Sequence, residues 1–82
     1  MAKRTYETTE YAAMIRRMIR AYGRRVADGD DVDLTELASM RDDLDQAIAD
    51  AVRGQRARWS WAVIGRALGV TRSAAQQRYG KL

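Results

Sequence analysis

Apolar residues recur at helical spacing along most of the chain and divide it into helices of unequal length. Tyr11, Met14, Ile15, Met18, Ile19, Tyr22 and Val26 fall on one arc roughly 140° wide at 100° per residue. That pattern predicts a first helix over 8–27, capped by Thr8 or Thr9, with 1–7 as a frayed arm. Leu34, Leu37, Ala38, Met40, Leu44, Ala47, Ile48, Ala51 and Val52 then cover nearly half a circumference, predicting a second helix over 33–57 that loosens at Gly54. So wide an arc serves two neighbours, and this helix is expected to be the spine. Asp33 is its expected cap, with Glu36 completing a capping box and Val32 stapling to Leu37. Between the two helices, aspartates around Gly29 form the one clear linker.

From Ser60 to Gly80 the pattern shortens to two small helices. Ser60 is placed to cap the first, with Trp59 and Ile64 at staple positions. Trp61, Ile64 and Leu68 share a face, and Gly69 follows at once as a left-handed stop. Thr71 caps the next helix, whose short apolar face is Ala75 and Tyr79. Gly65 leaves room for that helix, and Val70 plugs the turn from beneath. Two helices joined by a short glycine-containing turn form a helix-turn-helix unit. The plain alternative is a pair of amphipathic helices closing a small bundle.

In these details the run SWAVIGRALGVTRSAAQQRYG resembles the helix-turn-helix of bacterial and phage repressors. It looks especially like the C-terminal motif of small DNA-binding proteins common in actinobacteria and their phages. The resemblance covers about a quarter of the chain. Arg78 departs from it, standing where many repressors carry an apolar core residue, so Tyr79 is expected to do that packing. The resemblance implies that the second motif helix enters the major groove while the first crosses the backbone. It makes Arg72, Ser73 and Gln77 the base readers, with Gln76 close by. Arginine suits guanine O6/N7 and glutamine suits adenine N6/N7. Thr71, Arg66, Arg78, Lys81 and the Arg56–Trp59 region, Arg58 included, are the implied phosphate contacts; Trp59 serves equally well as core.

The charge distribution agrees. The net charge of +4 conceals two basic ends around an acidic middle. Residues 1–27 balance to +5, residues 28–50 to −8, and the seven bases after position 50 face no acid at all. Segregation of this kind suggests that the ends meet a polyanion. Arg16, Arg20 and Arg24, with Arg17 beside them, make a stripe on the first helix that is either a solvated face or a row of phosphate contacts. The arginines of Arg53–Arg58 are either a solvated helix end or a phosphate clamp. Met14 and Met18 read as core filler. Arg41 falls inside the apolar arc of the second helix, with Asp45 as its expected ion-pair partner and Glu7 or Glu10 as alternatives.

Composition narrows the classes. With no cysteine and no histidine, disulfides, thiolate nucleophiles, imidazole bases and the usual zinc sites are excluded. The carboxylates read as a solubilising face, so no enzyme activity, catalytic residue, metal or cofactor is expected. No run reaches the length of a membrane span, and no signal-peptide core follows Met1.

The expectation is therefore a single all-α domain, a four-helix bundle of two long antiparallel helices followed by a helix-turn-helix. Its expected function is sequence-specific binding of double-stranded DNA as a small transcriptional regulator of a bacterium or phage, cytoplasmic and nucleoid-associated. One unit reads too few base pairs to find a site, so a homodimer through the first two helices is expected. Two alternatives stay open. One is a protein–protein module that contacts RNA polymerase or inhibits a host protein; the other is a non-specific nucleoid-type binder.

Overall fold

The computed structural model describes the backbone of residues 2–81 and the side chains of residues 7–81, and within them every regular element is a helix. In chain order these are α1 (Ala2–Ala27), α2 (Asp31–Gln55), α3 (Trp61–Leu68) and α4 (Arg72–Tyr79). The all-helical class read from the sequence holds.

The two long helices begin earlier than the pattern predicts. α1 starts at Ala2, so the expected arm is helical and Thr8 and Thr9 lie inside the helix instead of capping it. No proline or glycine interrupts the stretch before them, and nothing else there opposes a helix. Met1 and the side chains of Lys3 and Arg4 lie outside the described residues. After α1 the chain turns, with the Asp28 and Gly29 N–H groups donating to the Arg25 and Val26 carbonyls at 3.2 and 2.9 Å.

The cap of α2 is Asp30, not Asp33. Asp30 Oδ1 accepts from the Val32 and Asp33 N–H groups at 3.1 and 3.2 Å, and Asp33 Oδ2 accepts from the Asp30 N–H at 3.3 Å. This is the reciprocal capping box, one turn earlier than expected. It places Asp31 and Asp33 in the first turn, against the positive pole of the helix dipole. Val32 consequently sits inside the first turn, past the position a staple requires. At the other end α2 stops at Gln55, two residues short of the expected Ala57, and the Trp59 N–H closes the turn onto the Gln55 carbonyl at 2.9 Å.

The chain divides into two compact units, Met1–Met40 and Arg41–Leu82. In the first, the apolar stripe of α1 stays open: Tyr11, Met14, Ile15, Met18 and Ile19 are all exposed. Val26 is buried and Tyr22 and Leu37 are half-buried.

The second unit has its own small core. Val52, Ile64, Gly65 and Ala75 are buried, and Ile48, Ala49, Trp61, Val70 and Tyr79 are half-buried around them. Burying a side chain such as Ile64 stabilises by about 1.5–3 kcal/mol. α3 and α4 pack closely against each other. The arc expected to make α2 a spine is thus covered mainly toward its C-terminal end, while Leu34, Met40 and Leu44 remain exposed, as does Arg41. Among the described residues, no helix is long and apolar enough to cross a membrane.

Candidate nucleic-acid interface

Local side-chain chemistry fixes the geometry of α3 and α4. Ser60 is extended (φ −74°, ψ 164°) and its hydroxyl accepts from the Val63 N–H at 3.3 Å. Thr71 repeats the arrangement (φ −72°, ψ 160°), accepting from the Ala74 N–H at 3.0 Å. Each cap contributes about 1 kcal/mol. Between them Gly69 takes φ 74°, the left-handed region that a glycine enters without penalty. Its N–H donates to the Arg66 carbonyl at 3.2 Å, and the Val70 N–H donates to Gly65 at 2.9 Å. This paired bonding is the Schellman stop.

Two small residues let the helices meet. A Cβ at Gly65 would lie 3.0 Å from the carbonyl oxygens of both Val70 and Thr71. Ala75 is 0% exposed. A left-handed stop at Gly69, a three-residue connection and the Thr71 cap join α3 to α4.

The expected base readers, Arg72, Ser73, Gln76 and Gln77, are all exposed on α4. Gln76 and Gln77 line an open cleft of about 470 Å³ together with Val52, Arg53, Arg56, Trp61, Tyr79 and Lys81. Arg72 and Ser73 line neither this cleft nor a smaller one of about 140 Å³ on the other flank of Tyr79. Arg78 faces that smaller cleft with Asp45, apart from the other cations. It is exposed while Tyr79 is half-buried, so the packing falls to the tyrosine. Arg66 and Arg58 are exposed on α3 and in the turn before it; the Thr71 oxygen is engaged in its cap.

Arg56 is held by two contacts. Its guanidinium lies 4.5 Å from the centroid of the Trp61 ring, and its Nη1 donates to the Trp59 carbonyl at 2.9 Å. A cation over an indole face gains about 0.5–1 kcal/mol at an exposed site. Arg53 forms an ion pair with Asp50 at 3.1 Å, but both side chains are more than half exposed, so the pair contributes little and leaves the guanidinium available. Trp59 is 48% exposed. Periodicity does not reveal the Arg56–Trp61 pair, because the two residues are five apart across a turn; an arginine a few residues before a capped tryptophan is the only hint.

The assembled groups are hydrogen-bond donors, cations and ring faces. Groups of these kinds are the ones proteins in general turn toward phosphate and base edges. Among the described residues, no three His, Cys, Asp or Glu side chains come together where they could hold a metal ion. No protein-family model, curated protein or solved structure matches the chain.

Proposed function

We propose that the protein binds double-stranded DNA with sequence preference and acts as a small transcriptional regulator of a bacterium or phage, at the nucleoid. The observation that carries this reading is a capped, exposed α4 presenting Gln76 and Gln77 beside a cleft that also holds Arg53, Arg56 and Lys81. In this reading α4 enters the major groove and α3 lies across the backbone. Arg72, Ser73, Gln76 and Gln77 read base edges. Arg56, Arg58, Arg66, Arg78, Lys81 and the Thr71 hydroxyl hold phosphates, and Arg53 joins them from the cleft. No catalysis and no cofactor are involved.

Each chain is read as a four-helix bundle of two long helices followed by a helix-turn-helix, and the working form is a homodimer through α1 and α2. Two reading helices then stand about 34 Å apart, one turn of DNA, and the site is palindromic.

Selection of bound sequences from random DNA, followed by salt titration on selected and random duplexes, tests the proposal. A recovered motif bound at least about a thousandfold more tightly than random sequence is the expected result. Arg56→Ala and Lys81→Ala should each weaken binding to every sequence alike and flatten the log–log salt slope by about 0.9. Equal affinity for selected and random duplexes would make the protein a non-specific nucleoid-type binder. Absence of salt-dependent binding would leave the second reading, a module for a protein partner such as RNA polymerase, which the exposed stripe of α1 favours.

A further inference from the structure

We infer that the larger cleft beside α4 is a pocket for a nucleoside polyphosphate, and that this ligand and DNA exclude each other. The exclusion rests on the DNA-binding reading above; the pocket does not.

Three observations set this cleft apart from a plain basic surface. It measures about 470 Å³, inside the range of roughly 300–1,000 Å³ that holds small ligands. Its charge has one sign: Arg53 comes from the end of α2, Arg56 from the turn after it and Lys81 from beyond α4, and no acid lines the cleft. Asp50 pairs with Arg53 from outside it, and both side chains are more than half exposed, so the pair competes weakly with a better anion. Finally, two half-buried aromatic side chains, Trp61 and Tyr79, stand among these cations.

A backbone phosphate needs the cations alone. Rings and amides beside them suit a planar heterocycle carried on the same molecule as the anion. The Arg56 guanidinium lies over the Trp61 ring, 4.5 Å from its centroid, and donates to the Trp59 carbonyl at 2.9 Å. It is therefore held before a ligand arrives, and less ordering entropy is left to lose. Aromatic rings and guanidinium planes both stack nucleobases. Gln76 and Gln77 each offer a donor and an acceptor, the pattern that matches adenine N6 and N7. Arg53 and Lys81 are left for the phosphates. A polyphosphate gathers several negative charges within one pocket, whereas those of duplex DNA are spread along the helix axis.

Position along α4 gives the regulatory consequence. Arg72 and Ser73, at the N-terminal end from which such helices read bases, line neither cleft. Gln76, Gln77, Arg56 and Lys81 are wanted by DNA and by the nucleotide alike. A bound nucleotide takes these contacts from DNA and adds negative charge beside α4, with no change of fold required.

Isothermal titration calorimetry of the full chain, without DNA or divalent metal, tests the pocket with ATP, tripolyphosphate and adenosine as probes. One ATP should bind per chain, about tenfold more tightly than tripolyphosphate, the scale of one stacked base. Adenosine should bind more weakly than ATP. Arg56→Ala and Lys81→Ala should each weaken ATP binding about tenfold, the scale of one lost hydrogen bond to a charged group. Arg25→Ala, which removes an exposed cation from the other unit, should leave it unchanged. In Trp59→Phe, where Trp61 is the one remaining tryptophan, ATP should quench the fluorescence. Circular dichroism checks that each variant keeps its helicity.

Equal affinity for ATP and tripolyphosphate would reduce the cleft to a cluster of cations and overturn the inference. Equal weakening by Arg25→Ala and Arg56→Ala would do so too, since net charge alone would then attract the ligand. So would the absence of binding at millimolar ATP by both calorimetry and Trp61 fluorescence. DNA binding is measured on the same samples at matched ionic strength. Its loss at saturating ATP supports the exclusion, and its persistence unchanged overturns it. ATP binding by a chain that binds no DNA supports the pocket and removes the DNA reading; DNA binding without ATP binding does the reverse.

Discussion

Arg72→Ala and Gln77→Ala are each expected to cost roughly 1–3 kcal/mol on the preferred DNA site and much less on random sequence. Arg72 opens α4 directly after the Thr71 cap, and Gln77 stands on the side of that helix away from buried Ala75. Neither side chain is part of the core, so truncating them should leave folding intact. Any loss of binding can then be assigned to contacts with DNA. An arginine bidentate to guanine, or a glutamine bidentate to adenine, discriminates one base pair; a phosphate contact weakens all sequences equally. The ratio of affinities for selected and random duplexes is therefore the decisive quantity, measured for each variant at one fixed salt concentration. If both ratios stay at the wild-type value, these residues touch backbone alone and the assignment of α4 as a reading helix falls.

Gly65→Leu should destabilise the C-terminal unit by about 3 kcal/mol, the upper end of what overpacking costs. The nearest atoms to the missing Cβ are main-chain: the carbonyl oxygens of Val70 and Thr71 at 3.0 Å and the Thr71 carbonyl carbon at 3.1 Å. They have little freedom to retreat. The Thr71 carbonyl already accepts from the Ala75 N–H at 3.0 Å, and the Val70 N–H is tied to the Gly65 carbonyl itself. A leucine must push the α4 N-terminus away and uncover Ala75. Gly54→Ala is the matched control, since a Cβ there meets nothing within 4 Å. Gly54 lies in the last turn of α2, so that change should be neutral or stabilise by less than about 0.5–1 kcal/mol, the value for a helix interior. Urea unfolding of both variants makes the comparison. Equal stability for the two would mean that the close approach at Gly65 is not what holds α3 on α4.

The parts of this molecule that were legible in its sequence are those governed by side chain-to-backbone chemistry over a few residues. Ser60, Gly69 and Thr71 each have one obvious role, and they take it. The start of α2 was harder because Asp28, Asp30, Asp31 and Asp33 can all cap; Asp30 takes the role with Asp33 reaching back into space that a Cβ at Gly29 would fill. The start of α1 carried no signal at all: Thr8 is a good cap, but nothing before it stops the helix. Periodicity showed that α1 and α2 have apolar faces without showing what lies on them. In the candidate site, the exposed residues of α4 followed from helical geometry, whereas Arg56 over Trp61 depends on a turn whose path no spacing rule gives.

The packing of α3 on α4 joins residues that are near neighbours along the chain, across the Gly69 turn. Loop-closure entropy for such contacts is small, and domains rich in local contacts fold in microseconds to milliseconds. The C-terminal unit should therefore fold in a single fast step whose rate does not depend on protein concentration. In the proposed homodimer, pairing of the long helices between copies must by contrast wait for an encounter and would slow on dilution. The reading surface would then be formed in each chain before it meets its partner, and at low abundance the supply of paired chains, not the supply of folded ones, would set how much DNA is occupied.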